Sequence, residues 1–445
     1  MNNKIRNKLY VIMLCLICSY TVKAQKAYSI DELIDAAQKS SRQLNVKGYQ
    51  VVEKASKLKE DGIRRYPSVT LDGSYQYNFN LPDISIPAGT LGSVTNGSGV
   101  EQLLPAQESK FKVGQKGSYN VGINLYQPIT QQLKLSTGLA IDRADIKISE
   151  QERAQTAQEL KIQVERLFYS ALIVRKTAEL ERLNLVLAKA KLADGEASKS
   201  AGTTTQTGLT GLNADIAGQE QTLIKLELQL QDYLSQISVM TAIDVDKLEL
   251  QETDPADKLF SINEYHTSAL QTPELEIARL SKEKAALGIK AIAQNNLPDF
   301  GILAGYYRQQ GSPILPASSP YLGISLKWNI QDIFVNKEIK VQRHAQLRQA
   351  DDNLIYTQQQ LSLAVDRAWR KVQSCRSLIS AANKAVLFRK EELKEQQNRL
   401  SAGFEIKSKI LETKVKLAQS ETELYTAQLQ QSIAIAELRN ISGKN

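Results

Sequence analysis

Histidine and cysteine are scarce in this chain, two and three in 445 residues. His266 and His344 stand far apart, and neither belongs to a metal-ligand spacing. No glycine-rich phosphate loop precedes a helix, and no nucleophile elbow occurs. Acidic neighbours such as Glu391 and Glu392 fall in helix-type charge patterns, where a solvated face is the ordinary reading. No enzyme chemistry, metal or cofactor is expected. Aromatic residues make up 6% and mean hydropathy is −0.32, lean for a compact enzyme but normal for long amphipathic helices. No apolar run is long enough for a spanning helix.

Proline is missing where it matters. None of the eleven falls between Pro128 and Pro255, and none after Pro320. Proline costs a helix interior about 3 kcal/mol, so these two tracts are where long helices can run. In the first, Leu223, Leu226, Leu230, Tyr233, Ile237 and Met240 step by three and four, as do Leu160, Val164, Leu167, Ala171 and Val174. Each tract is interrupted once, by Ser200-Ala201-Gly202 and Ser401-Ala402-Gly403, where a left-handed glycine can end a helix. The expectation is a helix of roughly 65 residues and a returning one of roughly 35 in each half, the longer on the order of 100 Å.

The N-terminus reads as an export signal. Lys4, Arg6 and Lys8 precede an apolar stretch from Leu9 to Tyr20, and Val22-Lys23-Ala24 is a small-x-small cleavage site. Cys18 follows Leu16-Ile17, unlike an acylation site, so ordinary cleavage after Ala24 is expected. Removing residues 1–24 removes four basic side chains and lowers the net charge from +8 to +4. It leaves one thiol, Cys375, so no intrachain disulfide can form. No basic block with interleaved aromatics appears, so nucleic acid is not an expected partner.

What is present is a duplication. A shift of 201 lays Gly122, Ile123, Leu125 and Ile129 on Gly323, Ile324, Leu326 and Ile330. It also lays Leu160, Val164 and Phe168 on Leu361, Val365 and Trp369. Upstream the shift is 231: Pro67 and Tyr75 answer Pro298 and Tyr306. The first half thus carries about thirty surplus residues in one loop, 81–116, glycine-rich and expected to be a flexible surface excursion. The repeats are read as 25–242 and 259–445, joined by 243–258.

Two strands precede each long helix. Val69, Leu71, Tyr75, Tyr77 and Phe79 alternate with polar residues, as do Tyr119, Val121, Ile123 and Leu125. Leu322, Ile324, Leu326 and Trp328 do the same in the second half, and 300–307 is the least regular. The period of two predicts one apolar and one polar face. A soluble sandwich would show it too, but ten-residue strands with aromatic ends on an exported chain fit a membrane barrel better. Four strands cannot close a barrel in lipid, so several copies must share one.

These features together resemble the TolC-type outer membrane efflux proteins, over essentially the whole mature chain. Ser29-Ile30-Asp31-Glu32-Leu33 is similar to the family's opening segment, Arg65-Tyr66-Pro67-Ser68-Val69 to its lead-in to the first strand, and Asn296-Leu297-Pro298-Asp299-Phe300 to that of the third. The resemblance implies a mainly α fold with a membrane β-barrel portion. It implies a homotrimer with a twelve-stranded barrel and an α-helical periplasmic tunnel. It implies residence in the outer membrane, in contact with lipid and reaching into the periplasm. The implied partners are a periplasmic adaptor and an inner-membrane pump of RND or ABC type, and the implied function is passive conduction in tripartite efflux or secretion.

Gly202 and Gly403 would be the periplasmic tip turns and adaptor docking points. Asn78, Asn120, Asn124 and Ser325 would face the lumen, and Tyr75, Tyr77, Ile123, Leu326 and Trp328 the lipid. Where the best-known members carry gate aspartates, this chain has Lys409 and Glu412. They would form either a mixed-sign constriction or an exposed ion pair on a helix. A periplasmic coiled-coil scaffold or adaptor is the alternative, and it leaves the doubled strand pairs unexplained.

Overall fold

Matching caps open the two halves. The computed structural model describes residues 27–95, 97–252, 259–311, 316–402 and 407–444. β1 (Ala27–Tyr28) leads into α1 (Ile30–Ser40), where Ser29 Oγ accepts from the Glu32 N–H and the Glu32 carboxylate accepts from the Ser29 N–H. α2 (Arg42–Ile63) and β2 (Ser68–Tyr77) follow. The surplus loop carries β3 (Asp83–Ile86), β4 (Ser93–Thr95), β5 (Glu101–Leu103) and β6 (Ser109–Lys112). β7 (Gly117–Pro128) turns into α3 (Gln131–Ser200) and α4 (Gln206–Thr241), and β8 (Glu249–Leu250) pairs in parallel with β1. The second half repeats the scheme: α5 (Ile262–Ala269), with Ser261 and Glu264 in the same capping box, α6 (Pro273–Asn295), β9 (Asp299–Gln310), β10 (Ser318–Lys327), α7 (Gln331–Ser401) and α8 (Lys407–Ser442).

The long helices have 70 and 71 residues and the returning ones 36 each, a little beyond expectation. Residues 1–24, Asp254, Pro255 and Gly403 lie outside the described residues. The surplus loop is not the loose excursion its glycines suggested. β3 pairs with β6 and β4 with β5, two antiparallel ladders one inside the other in sequence. The reason is a short alternation that glycine content masks: Ile84 and Ile86 on β3 alternate with Asp83 and Ser85, and Ile84 meets Phe111 across the ladder.

The chain divides into two compact units. One (Met1–Gln50, Ser149–Arg279 and Asn353–Asn445) is mostly helical and holds two cores related by the duplication. In the first, Leu33 and Ala37 of α1 pack with Val164, Phe168 and Leu172 of α3 and Ile237 of α4. In the second, Tyr265 of α5 packs with Val365 and Val372 of α7 and with Ile435 and Leu438 of α8. The α4 seam behaves as its spacing predicted: Ile237 is fully buried, with Leu230, Tyr233 and Met240 packed around it. Glu437 of α8 accepts from Arg166 of α3 at 2.9 Å and from Lys371 of α7 at 2.7 Å, tying the two repeats. Cys375 sits free and buried in the second core, and burial pushes its thiol above the usual range, as for a structural cysteine.

The other unit (Val51–Ile148 and Leu280–Asp352) holds an antiparallel sheet in the order β10-β9-β7-β2. The strands are anchored to helix ends within it. Phe300 donates its N–H to Thr130 Oγ1 at 2.8 Å, and Lys134 of α3 meets Asp299 at 2.7 Å. Lys284 of α6 meets Asp145 of α3 at 2.6 Å.

Candidate functional site

Register decides which strand residues share a face. Residues directly opposite in antiparallel strands lie on the same side. Ile123 stands opposite Leu71 and Tyr306, and Tyr306 opposite Pro320. Leu125 stands opposite Val69 and Ala304, and Ala304 opposite Leu322. The expected lipid set thus falls on one surface with Ile302, Ile324 and Leu326. The irregular strand is resolved as well: Phe300, Ile302, Ala304 and Tyr306 of β9 share that surface, although Leu303 and Tyr307 blur the alternation.

Burial on this sheet is inverted relative to a soluble protein. Along β10 the apolar residues are exposed and their polar neighbours half-covered, with Leu322 and Ile324 each 79% exposed in the protomer. Leu71 of β2 is 78% exposed. A continuous face of this kind marks a surface that meets lipid or another protein. Aromatic residues flank it at both ends: Tyr75, Tyr77 and Tyr119 near the surplus loop, Phe300 and Trp328 near the helices. Asn78 and Trp328 each fall one residue past the strand assigned to them, though the Asn78 N–H still donates to the Lys116 carbonyl.

The opposite face holds Asn120, Asn124 and Ser325, as the alternation required, and a feature that alternation does not show. Tyr126 lies over Gly301 and Tyr321 over Gly305, where an added Cβ would stand 2.6 Å from the tyrosine hydroxyl. The glycines let these rings lie against the wall instead of standing away from it. Gly301 and Gly305 share the strand parity of Asn120's face, and that spacing was the available signal.

The turn between α3 and α4 is built as its sequence predicted. Gly202 has φ +75°, its N–H donates to the Lys199 carbonyl at 2.9 Å, and the Thr203 N–H donates to the Ser198 carbonyl at 3.0 Å. This is the Schellman arrangement. Thr205 then caps α4 by accepting from the Gly208 N–H at 3.3 Å. Lys409 and Glu412 form an ion pair of 3.2 Å, and Lys416 also reaches Glu412 at 2.9 Å. Hydrogen bonds from Lys416 and then Lys409 hold the Glu412 carboxyl below its usual range. The geometry is that of a partly exposed helix-surface triad.

Two strand pairs forming one antiparallel sheet with an exposed apolar face, each pair followed in the chain by a long helix and a returning one, are the pattern of an outer membrane channel subunit. A profile of the outer membrane efflux protein family matches residues 33–242 and 265–444. The chain belongs to that family. It is therefore the outer membrane channel, rather than the adaptor, of a tripartite efflux or secretion system. It extends into the periplasm and passively conducts what an inner-membrane pump and a periplasmic adaptor deliver. No curated protein matches it in sequence.

Among solved structures it is similar to CusC, whose crystals describe folding and transmembrane channel formation: TM-score 0.74 at 14% identity over 94% of this chain and 92% of that one. A membrane protein of Pseudomonas aeruginosa gives 0.73 at 14%, over 95% and 90%. The outer membrane protein VceC of Vibrio cholerae gives 0.71 at 13%, over 93% and 96%. At such identities these likenesses speak to the fold.

Proposed function

We propose that three copies of the mature chain close one twelve-stranded barrel, and that an adaptor docks at the Gly202 and Gly403 turns with an RND- or ABC-type pump beyond it. The carrying observation is the sheet itself: its apolar face is exposed, and β2 and β10 are both unpaired edges. Open edges are not tolerated in lipid, so each β2 pairs with the β10 of the next copy. In this reading residues 1–24 are removed on export, 25–242 and 259–445 are the two repeats, and 243–258 joins them. The Asn124 face lines the lumen, and the 81–116 loop projects outside the cell.

The test is disulfide trapping. With one cysteine at Ser319 on β10 and another scanned along β2, oxidation in membranes is expected to give reducible species up to a covalent trimer. Material that stays monomeric at every position tried would sink the assembly. A cysteine at Gly97 is expected to react with an impermeant maleimide on intact cells.

Gly202→Val tests the tip. A β-branched residue at φ +75° is strained by roughly 1–2 kcal/mol even though space around the glycine is open. The expected outcome is reduced efflux and reduced adaptor cross-linking with trimer yield unchanged. Normal efflux with normal cross-linking would remove the tip from the docking surface.

A further inference from the structure

The register that separates the two faces also leaves one negative charge by itself at mid-sheet. On the polar face of the four strands only Asp72, Asp299 and Lys327 are charged. Asp299 and Lys327 stand opposite each other at the helix-proximal end, and Asp299 is paired with Lys134 at 2.7 Å. Lys134 neutralises Asp299, and Lys327, in no ion pair among the described residues, keeps its positive charge at that end of the face, many residues along the strands from Asp72. Asp72, mid-strand on β2, is in no ion pair among the described residues and is exposed.

Its carboxylate is also held in place. Asn124, Gly305 and Tyr321 lie in one transverse row on β7, β9 and β10. The Tyr321 ring crosses Gly305, and its hydroxyl donates to Asn124 Oδ1. That fixes which end of the amide points onward: Asn124 Nδ2 donates to the Asp72 carboxylate. A polar chain therefore runs across all four strands and ends on a single negative charge.

We propose that Asp72 is a specificity-determining residue of the channel. Contributed once per copy, it forms a ring of three carboxylates inside the barrel that favours cations and cationic solutes over anions. This rests on the shared-barrel reading above. Twelve strands about 4.8 Å apart and tilted about 40° put the wall roughly 12 Å from the axis. A carboxylate reaching inward from that wall lies within about one Debye length of the axis at 0.1 M salt, about 10 Å, and well inside it at 0.01 M, about 30 Å. Three such charges give roughly a fourfold bias between monovalent cation and anion at 0.1 M, and more at lower salt.

The experiment compares purified wild-type, Asp72→Asn and Asp72→Glu channels in planar bilayers under KCl gradients, each checked for trimer mass in detergent. Asparagine can still accept from Asn124, so the wall is preserved while the charge is removed. The expected result is a fall in the potassium-to-chloride permeability ratio of about fourfold at 0.1 M for Asp72→Asn, larger at 0.01 M and small at 1 M. Asp72→Glu should keep the wild-type ratio. Trimeric channels whose ratio is the same with aspartate and asparagine at every salt concentration would overturn this inference alone. Wild-type protein that forms neither trimers nor channels would overturn it together with the barrel reading.

Discussion

Arginine in place of Ile123 or Leu326 is expected to destabilise the membrane-inserted protein by about 2–4 kcal/mol if the position lies near the bilayer midplane. Both side chains sit on the exposed apolar face, in central rows of the sheet and at the end nearer the helices respectively, so Ile123→Arg should cost the more. Ser325→Arg, next along the same strand but on the polar face, should cost far less, since its charge would meet water. Denaturant titration of each variant refolded into phospholipid vesicles gives the comparison. Equal costs at Ile123 and Ser325 would dismiss the assignment of faces. Asn124 is not the neutral control that alternation makes of it. It is bonded to both Tyr321 and Asp72, so its replacement should also loosen the wall.

Phe168→Ala is expected to cost about 3–5 kcal/mol, and Trp369→Ala less, although the duplication places the two side chains at equivalent positions. Phe168 has no exposed surface and packs edge-on against Tyr169 at 5.4 Å among Leu33, Ala37 and Ile237. Trp369 is only half-buried beside the second core, tilted against Tyr265 at 6.0 Å. Removing Phe168 leaves a cavity among fixed neighbours, whereas part of the space left by Trp369 opens to water. Denaturation midpoints of the two alanine variants would show the difference. A Trp369→Ala protein as unstable as Phe168→Ala would mean that the indole is covered in the assembled channel.

Much of the architecture was legible because it depends on local chemistry. Proline positions alone bounded the long helices, since one proline removes a hydrogen bond and clashes with the preceding turn. Ser29 with Glu32 and Ser261 with Glu264 form capping boxes that the sequence already carried as a local signal, because a capping box is satisfied within four residues. Gly202 announced its turn for the same reason: a left-handed residue is costly for anything with a Cβ. The surplus loop was misjudged because its alternating segments are only three or four residues long, too short for periodicity to speak above the glycines around them.

What the sequence determined by itself was the duplication, the helix and strand order, and the existence of two chemically distinct strand faces. These follow from spacing, and spacing is a property of one segment at a time. Only the tertiary structure decided which strands are neighbours and in what register. It thereby showed that the irregular β9 joins the apolar face, that Tyr321 reaches Asn124 across Gly305, and that Asp72 stands unneutralised on the polar wall. The structure also adds Lys416 to the Lys409 and Glu412 pair. Charge compensation and ring packing depend on residues far apart in sequence being brought within hydrogen-bonding distance, as Asn124 and Tyr321 are, 197 residues apart. No period within one segment encodes that distance.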